Sequence, residues 1–159
     1  MDPVRLDVST PEGRLDAVLH HGATPATLAG IDRQELEAVY ALGHADLEAG
    51  RIEAACERMA FLAQHDPWER RYLFAFAHCL QQLGEWESAG RFYAQALLMD
   101  ATDAECALRA AQCLEAMGSL DEAREAYDAA IRLSWLDEGY APSREAAQAG
   151  LDRVAAAGA

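Results

Sequence analysis

Small and large side chains recur along the chain with a period of 34 residues. Each of three glycines spaced at this interval is followed five residues later by an alanine and nine residues later by a large side chain. Another small residue stands seven positions before each glycine. In chain order within the repeat, these residues are Gly43, Ala77 and Ala111; Gly50, Gly84 and Gly118; Ala55, Ala89 and Ala123; and Met59, Tyr93 and Tyr127. The pattern predicts three antiparallel helix pairs, in which small residues allow close contact and the glycine forms a left-handed turn.

The period itself is typical of the tetratricopeptide repeat. We therefore predict an all-α fold with three such repeats, at residues 36–69, 70–103 and 104–137. One helix pair cannot bury its own apolar face, so the repeats are expected to stack into a right-handed solenoid with a concave side. Residues 1–35 then form an N-terminal helical segment, and residues 138–159 form a C-terminal capping helix and tail.

Signals for helix starts mark the N-terminal segment. Thr10 and Thr24 each precede a proline, which favours an N-cap followed by proline at the first helical position. Asp32, with Glu35 three residues later, predicts a capping box at the start of the first repeat helix.

The C-terminal segment begins with a break at residues 141–143. Ser143 is predicted to cap a final helix that covers the open end of the third repeat, as solenoids require. The alanine-rich tail from Ala155 is expected to fray.

Composition narrows the class of partner. The formal net charge is −14, from 13 basic and 27 acidic residues, and every basic residue is arginine. Strong acidity argues against nucleic acid and against anionic membrane surfaces as partners. No apolar run approaches the roughly 20 residues of a membrane span, and residues 1–10 lack the pattern of a signal peptide. A soluble, intracellular protein is expected.

The chain carries no motif of an enzyme or a cofactor site. It has no glycine-rich phosphate loop, no nucleophile elbow and no HExxH zinc motif. His44 and His78 fall on neighbouring helices but lack an obvious third metal ligand. Cys79 and Cys113 share a repeat position with Ala45, so we interpret them as buried, reduced packing residues. Catalysis, cofactors and metals are therefore not expected.

The first helices of the repeats carry the candidate binding residues. Repeat positions two, five, nine and twelve are predicted to face the concave groove, where aromatic, apolar and polar side chains suit an extended peptide. An alternative interpretation is that Tyr40 and Phe74 pack against the N-terminal segment and that the histidines are solvated. The candidate peptide-binding residues are Tyr40, His44, Leu47, Arg71, Phe74, His78, Leu108 and Gln112.

Several stretches of the chain resemble one family. Residues 22–28 and 36–42 are similar to the N-terminal region of the class II chaperones of bacterial type III secretion systems, the SycD/LcrH/IpgC group. Residues 48–54, 66–84 and 110–118 are similar to that family's first turn, second repeat and third repeat. The likeness covers roughly residues 20–137. Asp46 and Met59 depart from it, because aromatic residues are common at those positions in the family.

This resemblance implies a small chaperone that works without ATP. Family members bind an extended N-terminal segment of hydrophobic translocator proteins in the concave groove, and many form homodimers through their N-terminal helices. Leu15, Val18, Leu19 and Leu28, which no repeat obviously buries, support such a dimer. The alternative is a general tetratricopeptide scaffold or assembly factor. Subfamilies that bind a C-terminal carboxylate use Lys and Asn; this chain has neither, so only Arg109 remains for that role.

Overall fold

A computed structural model of the chain describes residues 7–158. The described part is helical, and the predicted all-α class with three tetratricopeptide helix pairs is confirmed. The helices are α1 (Pro11–His21), α2 (Pro25–Ala29), α3 (Arg33–Glu48), α4 (Ile52–His65), α5 (Arg70–Gln82), α6 (Trp86–Met99), α7 (Ala104–Ala116), α8 (Leu120–Ser134) and α9 (Ala141–Ala157), with a short 3₁₀ helix at Glu138–Tyr140. Among these helices, none is long and apolar enough to cross a membrane.

Helices α3 to α8 pair in the order α3–α4, α5–α6 and α7–α8, and consecutive pairs stack on each other. The predicted repeat starts at Arg70 and Ala104 are the first residues of α5 and α7, while Leu36 lies inside α3. The turn glycines have left-handed backbones, with φ of 72°, 79° and 78° at Gly50, Gly84 and Gly118. Such a backbone is costly for other residues, which explains why glycine recurs there.

The recurring small and large residues form the core. All three alanines after the turns have no exposed surface, and neither do Met59, Tyr93 and Tyr127. Each large residue is the centre of one apolar cluster, and the three clusters follow one another along the solenoid. The core is therefore a chain of repeat-sized units rather than one central mass.

The N-terminal caps form as the sequence predicts. The hydroxyl of Thr10 accepts from the backbone N–H of Gly13 at 3.0 Å, and Thr24 caps α2 in the same way. Asp32 accepts from the N–H of Glu35 at 2.8 Å, while the Glu35 carboxylate accepts from the N–H of Asp32 at 2.9 Å. This reciprocal pair satisfies two helix N–H groups at the start of α3.

Asp46, one of the departures from the family pattern, forms a buried ion cluster. Its carboxylate accepts from Arg51 Nε at 2.9 Å and from Arg58 Nε at 2.7 Å. These bonds hold the pKa of Asp46 below its ordinary value. A buried carboxylate is tolerable only when paired, so the cluster joins the end of α3 to α4 where other repeats use apolar contacts.

The C-terminal segment differs from the prediction at both ends. Ser143 does not cap α9, because the helix begins two residues earlier, at Ala141, with Pro142 in its first turn. Proline is tolerated there because the first helical N–H groups have no acceptor within the helix. The tail predicted to fray from Ala155 is helical through Ala157. As expected, α9 covers the open end of the third repeat, packing on α8 and α7.

The repeat position shared by Ala45, Cys79 and Cys113 is not equally buried. Both cysteines are fully buried, and burial raises their thiol pKa values to about 12 and about 11. Ala45 is exposed, so the expectation of a buried residue is wrong there. The cause is that α5 and α7 have a preceding repeat helix against them, whereas α3 begins the stack.

The contact between Gly150 of α9 and the ring of Tyr127 generates the first prediction. A Cβ at position 150 would overlap three ring atoms of Tyr127, whose ring is buried and whose hydroxyl bonds Glu115. Overpacking costs up to about 3 kcal/mol, which exceeds the roughly 1 kcal/mol that alanine gains over glycine in a helix. We expect Gly150→Ala to lower the free energy of unfolding by about 2 kcal/mol in urea titrations.

A matched control lies inside α6. A Cβ at Gly90 would sit 3.6 Å from Cys113 Cβ, an ordinary contact. Gly90→Ala should therefore stabilise the protein by about 0.5–1 kcal/mol through helix propensity. Equal unfolding free energies for the two variants would contradict the proposed docking of α9 on Tyr127.

Candidate peptide-binding groove

The side chains of α3, α5 and α7 meet on one surface, here called the inner groove. Tyr40, Arg71, Phe74 and Glu105 line a cavity of about 160 Å³ on it. Further along, the Gln81 amide nitrogen donates to Gln112 Oε1 at 3.1 Å. The inner groove comprises Tyr40, His44, Arg71, Phe74, His78, Gln81, Glu105 and Gln112. The predicted groove residue Leu47 is partly buried against the first core cluster.

Aromatic rings in the inner groove are supported by neighbouring repeat helices. The half-buried Tyr40 ring meets His44 edge-on at 4.5 Å between centroids and lies 5.3 Å from the Tyr72 ring. Phe74 packs against the core residue Tyr93 at 5.4 Å. These ring contacts are made with repeat residues, although Tyr40 also packs against a core cluster that includes Ala26 of the N-terminal segment. Each ring keeps one side on the core and the other in the groove.

Arg71 organises the charged edge of the inner groove. Its Nη2 atom donates to Glu37 at 2.7 Å and to Glu69 at 3.0 Å, and its guanidinium lies 5.3 Å from the centre of the Tyr40 ring. The bonds from Arg71 lower the pKa of both carboxyl groups. Two carboxylates thus neutralise and orient this arginine, which presents a fixed planar face beside Tyr40.

The two predicted histidines differ in environment. His44 is exposed, whereas His78 is half-buried. Burial, and then the nearby charges of Arg109 and His44, lower the pKa of His78, an effect that Glu105 partly offsets. A neutral imidazole both donates and accepts hydrogen bonds, which suits contact with a peptide backbone. Within residues 7–158, no three His, Cys, Asp or Glu side chains group as metal ligands would.

Leu108 departs from its predicted role as an open groove residue. It is 4% exposed and packs in the third core cluster with Ala147 of α9. The row that begins with Tyr40 and Phe74 therefore ends at a buried side chain. The reason is that α9 folds back onto α7, which the 34-residue period does not predict.

A second cavity, of about 410 Å³, lies where the C-terminal segment meets α7. Its walls include Glu105, Arg109 and Gln112 from α7 and Tyr140 and Ser143 from the C-terminal segment. The sequence analysis named Arg109 only as the residue left for binding a C-terminal carboxylate, a role it disfavoured, and assigned no role to Tyr140. Arg109 was detectable in principle, since the other two repeats have Ala41 and Ala75 at its position. Tyr140 lies outside the repeats, where no periodicity applies.

Core tyrosines fix the position-twelve residues of α5 and α7. The Tyr93 hydroxyl donates to Gln81 Oε1 at 2.8 Å, and the Tyr127 hydroxyl donates to Glu115. In the first repeat the corresponding pair is Met59 and Leu47, which share one apolar cluster. Methionine has no hydroxyl to donate, and its partner at position twelve is correspondingly apolar. In the first repeat both partners are therefore apolar: Met59 stands where the other repeats have tyrosine, and Leu47 stands where they have its hydrogen-bond acceptor.

The helix pairs match known proteins in sequence and in structure. The family model described as "Anaphase-promoting complex, cyclosome, subunit 3" matches residues 51–130, which run from the turn before α4 into α8. That stretch consists of repeat helices. A search of curated protein sequences gives no match.

Solved structures cover most of the chain. A T3SS complex from Aeromonas hydrophila is 27% identical, with a TM-score of 0.82 over 90% of this chain and 95% of that one. PcrH, a Pseudomonas aeruginosa protein solved in complex with the chaperone-binding region of PopB, is 30% identical, with a TM-score of 0.72 over 77% of this chain and 98% of that one. SycD, a type III secretion translocator chaperone of Yersinia enterocolitica, is 25% identical, with a TM-score of 0.74 over 83% and 98%.

The position of Arg109 beside His78 generates a prediction that needs no ligand. Removing the positive charge in Arg109→Gln should raise the pKa of His78 towards its ordinary value of 6.5, because an imidazolium then forms without repulsion from the guanidinium. An NMR titration of the His78 ring measures this shift. Arg91→Gln on the exposed side of α6 is the control and should leave that pKa unchanged. If the pKa of His78 is the same in Arg109→Gln as in the wild type, the guanidinium of Arg109 does not lie near His78.

Proposed function

The chain belongs to the tetratricopeptide family of type III secretion translocator chaperones, and we propose that it binds hydrophobic translocator proteins and keeps them secretion-competent in the bacterial cytoplasm. Membership rests on 30% identity to PcrH, of which this chain covers 98%. The observation that carries the proposal is that PcrH was solved with the chaperone-binding regions of both PopB and PopD.

The inner groove supplies contacts that suit an extended segment of such a client. Tyr40 and Phe74 offer apolar surface, while His44, His78 and Gln112 offer hydrogen bonds to backbone amides. Adjacent helices lie about 9–10 Å apart, and an extended peptide advances about 3.3 Å per residue. Client anchors are therefore expected about three residues apart. The proposed client-binding set is Tyr40, His44, Leu47, Arg71, Phe74, His78 and Gln112, with Leu108 as buried support beneath them.

The charge of the chain complements this role. Pore-forming clients expose apolar helices that associate in water. A carrier with a net charge of −14 covers one apolar segment while its own charge keeps the complex in solution. We propose that this binding role involves no catalysis.

A general tetratricopeptide scaffold is the second candidate. Residues 51–130 match a family of subunits of another assembly, the anaphase-promoting complex, and this match supports a scaffold because the description of that family does not mention secretion. The two candidates differ in what the neighbouring genes encode, since a translocator chaperone is expected beside translocator genes.

Co-expression with the translocators encoded beside this gene tests the proposed function. We expect the client to co-purify and to bind through its N-terminal segment. Tyr40→Ala and Phe74→Ala should each weaken the binding of a synthetic peptide of that segment by about 1–3 kcal/mol, measured by calorimetry, because aromatic anchors contribute this much to binding.

Glu57→Arg, on the exposed side of α4, is the matched control and should keep the affinity of the wild type. Thermal melts of the same variants separate loss of binding from loss of folding, since both rings also contact the core. Unchanged affinity in both alanine variants, together with loss in Glu57→Arg, would show that the client binds the opposite face.

We also propose a homodimer through the N-terminal helices. Leu15 and Leu19 of α1 are 60% and 66% exposed, and Leu42 on the uncovered face of α3 is 53% exposed. The equivalent of Leu42 in the second repeat, Phe76, packs on Phe92 at 4.8 Å between ring centroids. Exposed leucines on α1 and an uncovered apolar position on α3 are suitable surfaces for a second copy.

Light scattering checks the dimer. Leu15→Glu with Leu19→Glu should convert a dimer of the full chain to a monomer, because two charges would be buried without partners. Leu98→Glu is the control, since Leu98 is an 88% exposed apolar residue of α6, far from α1 in the chain. A dimer that survives the double change, and also survives removal of residues 1–30, would place the interface elsewhere.

A further inference from the structure

Arg109 lies beside the inner groove, and the protein neutralises it less than it neutralises the nearby Arg70 and Arg71. Arg71 binds two carboxylates, and Arg70 binds the buried carboxylate of Asp103. Arg109 instead has one contact, from Nη2 to Glu105 Oε1 at 3.3 Å, which is long for a charge-assisted bond. The Glu105 side chain is 46% exposed, so water screens its charge.

The Nε atom of Arg109 is buried without an acceptor. Within residues 7–158 it is the buried side-chain polar atom that lacks a hydrogen-bond partner. A buried N–H that is not bonded costs free energy, and an arginine presents its donors as a rigid fork that matches one acceptor group. Nε has no surface that a ligand could reach, but the Arg109 side chain as a whole is 31% exposed. Of its two Nη atoms, Nη2 bonds Glu105 and Nη1 bonds no described residue, so the donors free for a ligand lie at this end of the fork.

Beside Arg109 is a cavity large enough for a ligand group. Arg109 lines the 410 Å³ cavity between α7 and the C-terminal segment, together with Gln112 and Tyr140. Gln112 receives a bond from Gln81 at its carbonyl oxygen, while its amide nitrogen donates to no described residue. The cavity is continuous with the inner groove through Glu105, which also lines the cavity beside Tyr40.

The fold does not need an arginine at this repeat position. The equivalent residues are Ala41, which is exposed, and Ala75, which is buried. A long cationic side chain has therefore replaced alanine in the one repeat where the C-terminal segment forms a cavity beside it.

We infer that Arg109 binds an acceptor oxygen of the client segment in this cavity and so determines which segments bind and in which register. The inference rests on the proposed function and deepens it. The oxygen belongs either to the client backbone or to a client carboxylate, and both offer the acceptor that the fork requires. Gln112 and Tyr140 add neutral donors beside it, while the carboxylate of Glu105 in the same cavity is paired with Arg109 itself.

The test uses the full-length protein and a fluorescein-labelled synthetic peptide of the client's N-terminal segment, taken from the translocator that co-purifies. Arg109→Gln and Arg109→Ala should weaken binding about 10–100-fold, the usual effect of losing a bond to a charged group. Arg109→Lys should give an intermediate loss, because a point charge replaces the fork. Arg91→Gln should bind as the wild type does.

Peptide variants identify the source of the oxygen. Each Asp or Glu of the peptide is changed singly to its amide. If Arg109→Gln causes no loss of affinity for one of these peptides, Arg109 binds the carboxylate that this peptide lacks. If Arg109→Gln causes the same loss for every peptide, Arg109 binds a backbone carbonyl. Both results support the inference.

Other outcomes overturn it. If the wild type binds the peptide and both Arg109→Gln and Arg109→Ala bind it equally well, the inference is wrong, while the proposed function stands. A loss of affinity that follows a matching fall in melting temperature for all three Arg109 variants assigns the residue a structural role instead. If the wild type binds no translocator peptide, the proposed function fails and this inference fails with it.

Discussion

The close crossing of the two helices in each repeat is the constraint on which the rest of the molecule depends. Ala55, Ala89 and Ala123 have no exposed surface, and any larger side chain there would separate the helices. Close approach lets one large residue of the second helix fill the space beneath the first. In the second repeat this residue is Tyr93, whose hydroxyl bonds Gln81 of the inner groove, and in the third it is Tyr127, whose hydroxyl bonds Glu115 of α7. Gln81 in turn donates to Gln112, so packing in the core helps to position one side chain of the proposed client-binding set.

In this acidic chain, which has no lysine, arginine forms the ion pairs between helices. Its planar fork bonds several acceptors at once, which a lysine ammonium does less well. Arg51 and Arg58 share the buried Asp46, and Arg71 of the second repeat binds Glu37 and Glu69 of the first. These arginines are engaged in holding helices together. Arg109 differs from these, because its one ion-pair contact, to Glu105, is long and exposed to water and because it lines a cavity.

The two ends of the solenoid are finished differently. At the C-terminal end, α9 lies on the third repeat, where Gly150 admits the Tyr127 ring and Arg153 donates two bonds to Glu115, at 2.9 and 3.0 Å. At the N-terminal end, the outer face of α3 keeps Leu42 exposed. A stack of repeats needs cover at both ends. The C-terminal end is covered by α9, which reshapes the groove. At the N-terminal end Ala26 of α2 joins the first core cluster, but the face that carries Leu42 stays uncovered.

The sequence by itself determined the repeats, because a helix crossing accepts few residue types and therefore leaves a readable period. It also determined the left-handed glycine turns and the caps at Thr10, Thr24 and Asp32, since these depend on residues close in the chain. Tertiary structure alone decided the burial of Leu108, the exposure of Ala45 and the cavity around Arg109. Each of these depends on whether another helix lies against the repeat: α9 covers the third repeat, and no repeat precedes the first. A local pattern cannot encode that difference, because equivalent positions carry the same signal whether or not a neighbour is present.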